Sequence, residues 1–320
     1  MPLDHYIPQV HLKNFYDPEL SERMHGIRKR DLQTYHCNAY SQCRVLNGST
    51  NDFLLTDRAI EDFLKIVEPR YNSAVAGFRR GHRQKNDIFV IAGFIAYIQA
   101  CSPAAMRLHS DWLRESVQST AEHMDALGKF SVPPKSLGAE SLTELLQSGK
   151  VVLDVDAKYP QAMGIANIMK LVDSFGNQDW EILYNTHPDM PFVTSDYPVG
   201  VELTSDPSIV SRVIPLAPDI AVRIHPNFRY EKPHRDTPPK LDFSLFRFRI
   251  SKLSRKAVKK VNQTLIRAAE TTVYSTHFSK GLLRFVEKNC HYRTETTVSK
   301  IPMDDGTMHI VQQRIKAQKI

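Results

Sequence analysis

At 320 residues, 42% apolar and 24% charged, the chain has the balance of a soluble globular protein and enough length for a sizeable core. Its longest apolar run, residues 88–101, is too short for a bilayer, which excludes a single membrane-spanning helix. The net charge of +7 and an isoelectric point near 9.1 favour acidic partners, nucleic acid or other anions among them. Cys37, Cys43, Cys101 and Cys290 follow no CxxC spacing, and Met1 to His5 shows neither the basic nor the apolar part of a secretory leader. A cytoplasmic protein with free thiols and no membrane partner is expected.

The front of the chain, Asp4-His5-Tyr6-Ile7-Pro8-Gln9-Val10-His11-Leu12-Lys13-Asn14-Phe15, combines apolar anchors with an unusual density of hydrogen-bonding groups. Termini fray unless tied down, so this segment is either loose or docked for a reason. Arg28-Lys29-Arg30 reads as a solvated face, with phosphate contact as the alternative. His36, Cys37 and Cys43 lack the further ligands of a compact zinc site. From a cap at Thr56 or Asp57, Ile60 to Phe78 recur at helical steps, with a kink or short break after Glu68 because Pro69 interrupts them. Glu68 lies beside the apolar face, where a carboxylate needs a partner. Arg79 to Lys85 ends the unit as a cationic helix terminus or a phosphate patch. Asp87 to Cys101, apolar all round, reads as a buried helix. A further helix runs from Met106 to about Leu127, a short one over Ser141–Ser148, and one with Gly164 inside over Ala157–Phe175. Arg107, just after the buried helix, needs a carboxylate or carbonyls, and Glu68 is the candidate partner.

After Gly176 the period changes to that of strands. Trp180, Ile182 and Tyr184 alternate, a turn at His187-Pro188-Asp189 follows, and then comes Phe192-Val193-Thr194-Ser195-Asp196-Tyr197-Pro198-Val199. Pro198 fixes its own φ and extends Tyr197. This holds one carboxylate and two hydroxyls at the rim of a sheet, as a site for chemistry or as a well-capped turn. Val199 to Thr204 is expected to pair with the preceding strand, and residues 212–225 to add one or two more. Lys232 to Lys240 is a Pro-rich loop. A last long helix is expected from about Ser254 to Ser275, burying Val258, Val261, Leu265, Ala268 and Val273. Its other face, with Arg255, Lys256, Lys259, Lys260 and Arg267, is the densest basic surface in the chain. Asp304-Asp305-Gly306-Thr307 between alternating runs signals a hairpin.

The spacings of phosphate loops, dinucleotide folds, zincins, serine hydrolases, helix-turn-helix modules and zinc fingers are absent. Asp154-Val155-Asp156-Ala157-Lys158 has a carboxylate pair near a lysine, a loose match to metal-dependent nucleases. The elements together predict an α+β fold with a helical N-terminal half, a small mainly antiparallel sheet and a long C-terminal helix. They are expected to form a single intimate domain over residues 1–285, with the helical part at 50–175 and the sheet part at 176–230. Residues 286–320 would be a C-terminal extension.

The order of these features resembles the family catalogued as domain of unknown function 4238. His5-Tyr6-Ile7-Pro8-Gln9 with Leu12-Lys13-Asn14-Phe15 is similar to its opening signature, and Phe192 to Val199 to its central Phe-x-Thr-Ser-Asp-x-Pro-Val element. Pro215-Leu216-Ala217-Pro218 is similar to the Pro-Leu-Ser-Pro that follows, and Glu68, Arg107 and Asn262 fall in matching order. Two departures stand out: Ala217 where Ser is usual, and Ser102 to Arg107 where the family tends to show Arg-Thr-Pro.

Three functions compete on these residues. In the first, a nuclease-like phosphodiester hydrolase, His5, Glu68 and Asp196 are catalytic, with His5 as general acid or base and the carboxylates handling protons or a divalent metal of unknown identity. Tyr6, Gln9, Lys13, Asn14, Arg107, Thr194 and Ser195 would then bind substrate. In the second, a non-catalytic nucleic-acid or protein binding module, Lys259 and Lys260 make the contact and the motifs only lock the termini to the sheet. The third is a hydrolase or transferase acting on another substrate.

Overall fold

The computed structural model describes residues 2–82, 84–204, 206, 209–231, 237–244, 246–302 and 309–320, with side chains outside the description at 298–302 and 309–313. Its elements in chain order are β1 (Leu3–His5), α1 (Gln9–Lys13), β2 (Met24–Arg28), β3 (Thr34–Cys37), β4 (Arg44–Leu46), α2 (Ala59–Val67), α3 (Tyr71–Arg79), α4 (Lys85–Cys101), α5 (Pro103–Ala126), α6 (Leu142–Gln147), α7 (Lys158–Ala166) and α8 (Ile168–Gly176). There follow β5 (Asp179–Asn185), β6 (Thr194–Ser195), β7 (Gly200–Leu203), β8 (Val210–Ala217), β9 (Ile220–His225), β10 (Arg247–Leu253), α9 (Arg255–Ala268), β11 (Thr272–Ser275), α10 (Lys280–Glu287), β12 (Tyr292–Pro302) and β13 (His309–Lys319). The fold is α+β, as expected.

Helices α2 and α3 are separated by a single 3₁₀ turn, Glu68–Arg70, because Pro69 cannot supply the N–H that an unbroken helix needs. The cap at Thr56 or Asp57 is not used; Arg58 takes that position. Helix α4 is buried nearly all round and forms the centre of the helical layer. Residues 157–175 are two helices, α7 and α8, broken at Asn167. Among the described residues no single helix is long and apolar enough to cross a membrane.

Among the described residues the strands form four sheets, two of them the antiparallel pairs β1-β4 and β12-β13. The largest runs β10-β5-β9-β8-β7 and is mixed, since β10 lies parallel to β5 while the other pairs are antiparallel. The pairing expected between 199–204 and the preceding strand does not form: β7 pairs with β8, and β5 with β9 and β10. The second sheet, β3-β2-β11-β6, is antiparallel and draws two strands from the front of the chain, so the N-terminal half is not purely helical.

The expected long C-terminal helix is absent. Helix α9 starts on a Ser254 cap but stops at Ala268, because Ala269 turns extended and Thr272-Val273-Tyr274 form the central strand β11. Branched and aromatic side chains favour that state. Strands β12 and β13 pair antiparallel from Tyr292↔Lys319 to Pro302↔His309, which bears out the hairpin pairing. Its expected turn, Asp304 to Thr307, lies outside the described residues, as do Arg83 and residues 232–236 of the Pro-rich loop.

One apolar cluster joins Ile7, Leu12 and Phe15 to Tyr71, Phe94, Trp180, Leu216 and Tyr274, tying the front of the chain to both sheets. A second lies under α9, where Val258, Val261 and Leu265 meet Leu183, Val213 and Ala221. Gly200 permits that approach: a Cβ there would sit 2.7 Å from Thr264 Cγ2.

Candidate functional site

The front of the chain does fold back beside the mid-chain loop, through a residue outside the proposed site. His11, fully buried on α1, bonds Tyr71 Oη through Nδ1 and Thr194 Oγ1 through Nε2, both at 2.8 Å. Tyr71 donates onward to the Leu216 carbonyl, so His11 Nδ1 carries the proton and Nε2 accepts from Thr194. Burial pushes the His11 pKa down to about 3, so the ring is neutral. Asn14 donates to the same Leu216 carbonyl at 3.3 Å.

Asp196 is 4% exposed and enclosed by donors from the segment that leads into β11. It accepts from Glu270 N at 2.9 Å, Thr271 N at 2.7 Å, Thr271 Oγ1 at 2.5 Å and Thr272 N at 3.2 Å. Burial raises its pKa, and the Thr271 and Glu270 hydrogen bonds oppose that rise. Thr194 and Ser195 are buried in β6. The central motif therefore holds strand β11 in place, with Thr194, Ser195, Asp196 and Tyr197 all buried.

Arg107 does not pair with Glu68. It donates to Glu270 and Glu295 at 2.7 Å each and to the Thr294 carbonyl at 2.8 Å, tying α5 to the end of α9 and to β12. Lys29, expected on a solvated face, is 5% exposed and donates at 2.5 Å to the carbonyls of Ala269 and Tyr292. Burial lowers its pKa to about 8. Lys158 of the loose nuclease-like match is a clip, with Nζ on the carbonyls of Asn47, Gly48 and Thr50.

The expected site thus divides. His5, Gln9 and Glu68 line one concavity of about 370 Å³, together with Asp4, Glu61 and Lys65. Nε2 of His5 lies 3.1 Å from the carbonyls of Ala39 and Tyr40, and burial lowers its pKa. Burial, with Glu61 beside it, raises that of Glu68. Tyr6 is half-buried against Cys43, and burial raises its phenol pKa. Lys13 is exposed, and Asn14 lines a different concavity. Asp196 and Arg107 line neither. Among the described residues no three His, Cys, Asp or Glu side chains are grouped to hold a metal ion.

A larger groove of about 590 Å³ runs between α9 and α10. Asn262 anchors its floor by donating to the Pro191 carbonyl at 2.8 Å and accepting from Val193 N at 3.2 Å. Its cationic lining is Lys259 and Arg267 from α9 with Arg284 from α10 and Lys288 directly after it. The one carboxylate in the lining, Asp189, is already paired with Arg255 at 2.6 Å. Arg267 is oriented by Asn289 at 2.7 Å and lies 4.1 Å from the Tyr292 ring; Lys259 lies 5.7 Å from the Phe285 ring. Lys260 is exposed on α9 but outside the groove. At Pro191 and His277 the groove meets the concavity of about 460 Å³ lined by Asn14, Tyr16 and His187.

The reading from residues overlooked α10, and with it Arg284, Phe285 and Lys288. Its signal is present: Ser279 caps Leu282 N, and Leu282, Leu283 and Val286 follow at helical spacing.

Residues 4–278 match the family described as protein of unknown function (DUF4238), and the chain belongs to that family. No curated protein and no solved structure matches it. The matched residues include α9 and end before α10, the second wall of the groove.

Proposed function

We propose that this member of the DUF4238 family binds nucleic acid through the groove between α9 and α10, with its motif residues holding the groove walls in register. The observation that carries this reading is the charge of the lining: four Lys and Arg side chains against a single carboxylate already neutralised by Arg255. Cations so placed neutralise phosphates and release condensed counterions, the main source of sequence-independent affinity. Phe285 and Leu282 supply apolar surface for sugar and base faces, and the continuation past His277 to Tyr16 and His187 suits a strand more than a mononucleotide. Fluorescence anisotropy with short labelled RNA and DNA tests it. Binding should weaken as salt rises and should be lost in Lys259→Glu with Arg284→Glu, while Lys260→Glu alone costs less. No binding at low salt, or binding indifferent to the double substitution, would overturn it.

A second reading, phosphodiester cleavage, rests on the shared concavity of His5, Gln9 and Glu68. There Glu68, its pKa raised by burial, would exchange protons with His5 as partner, and Gln9 would orient phosphate. Cleavage of labelled RNA or DNA with Mg²⁺ or Mn²⁺ that disappears in Glu68→Gln supports it; no cleavage leaves binding alone.

A further inference from the structure

A guanidinium partly withdrawn from water is held best by an anion or a full set of acceptors. Arg212 on β8 is half-buried and has neither. Its Nε donates to Gln99 Oε1 at 3.2 Å, and its guanidinium carbon stands 5.9 Å from the Phe175 ring. Among the described residues no carboxylate lies within ion-pairing distance of it. The sheet carboxylates Glu181 and Glu202 pair with Arg223, which points to the opposite face because Arg212 and Val213 alternate and Val213 is the register partner of Arg223.

Beside this charge lies a donor without an acceptor. Gln99 gives its carbonyl oxygen to Arg212, and its Nε2 is buried with no partner. Arg107 Nε and Ser110 Oγ, one turn apart on α5, are also buried and unpartnered. Tyr197, 4% exposed, lies within the fields of Arg212, Glu270 and Arg107. His109 holds the Gln99 backbone carbonyl at 3.3 Å and lies close enough to Arg212 for the cation to disfavour its protonation. Where α4, α5 and β8 meet, the molecule thus offers a cation with no carboxylate paired to it and an orphaned carboxamide N–H beside a buried phenol; the acidic group that acts on that phenol, Glu270, is already paired with Arg107.

We propose that this junction is a binding site for a small oxyanion, a phosphate or carboxylate group seated against Arg212 and the Gln99 carboxamide. It is separate from the α9–α10 groove and does not rest on the nucleic-acid reading. Isothermal titration calorimetry of the full chain with inorganic phosphate tests it, with acetate and chloride at matched ionic strength as comparisons. Saturable heat with phosphate or acetate beyond that with chloride is expected, and which of the two binds identifies the group. Lys259→Glu should leave this binding unchanged. Arg212→Met should weaken it by roughly tenfold or more, the worth of a charge-assisted hydrogen-bond pair. Gln99→Glu keeps the shape but supplies the missing carboxylate, so it should abolish oxyanion binding while raising the melting temperature. That variant remains informative should Arg212→Met fail to fold. Phosphate and acetate heats equal to chloride, or undiminished binding in Gln99→Glu, would overturn the proposal.

Discussion

Replacing Asp196 by Ala separates a structural lock from a catalytic carboxylate. The substitution strips the acceptor from three backbone N–H groups, of Glu270, Thr271 and Thr272, and from the Thr271 hydroxyl. The carboxylate is 4% exposed, so water cannot readily replace it. A buried donor left unpaired costs about 1–3 kcal/mol, and hydrogen bonds to a charged acceptor lie at the upper end. Against this stands the relief of a desolvated carboxylate, whose raised pKa records that cost. The balance is a loss of about 3–5 kcal/mol, with Asp196→Asn, which keeps one acceptor, losing roughly half as much. Urea unfolding should show a lower midpoint with an unchanged slope. Should Asp196→Ala unfold within about 1 kcal/mol of the parent yet lose binding or cleavage, the lock is wrong and the aspartate acts directly.

Three further outcomes follow from the packing. Burial would raise the Glu181 carboxyl, but Ser251, Arg249 and Arg223 override it and hold the pKa at about 2 against the ordinary 4.5. A folded value below the unfolded one gives stability that is present above pH 4.5 and lost as the pH falls toward 2, so over that window the parent should lose up to about 3 kcal/mol more than Glu181→Gln in acid titrations followed by circular dichroism. Gly200→Ala would bring a Cβ to 2.7 Å from Thr264 Cγ2 and 2.8 Å from Val213 Cγ1. A cost of about 1–3 kcal/mol in thermal unfolding is expected, partly recovered by adding Thr264→Ala; no recovery would place the strain elsewhere. Arg107→Met removes the ion-pair partner of Glu270 and leaves Glu295 with Arg293 alone, and should cost about 1–3 kcal/mol after allowance for partial solvent exposure, a value a double-mutant cycle with Glu270→Gln would check.

The sequence made some of this legible and hid the rest for identifiable reasons. The broken helix at Pro69 and the buried α4 were readable because a proline and an unbroken apolar circumference act locally. The hairpin strands followed from alternation. Helix α9 was overextended because Val273 continues its apolar spacing, and only pairing with β2 and β6 makes that residue a strand. Strand partners in the mixed sheet depend on contacts distant in sequence, which no local period encodes. The motif residues stand out in the sequence by their density of hydrogen-bonding groups, and in the structure three of them stitch: Asp196 holds β11, Asn262 holds residues 191–193, and Asn14 holds the Leu216 carbonyl. Lys259 could be found because basic residues cluster on one helix, whereas Arg284 and Lys288 needed the overlooked α10 to face it.

The most direct test of the groove is the salt dependence of its affinity. If Lys259 and Arg284 each neutralise a phosphate, the slope of log affinity against log salt should become shallower by about two when both are replaced by Glu, beyond any loss of affinity at one salt concentration. An unchanged slope in a folded double variant would contradict the account, because the cations that define the groove would then contact no phosphate.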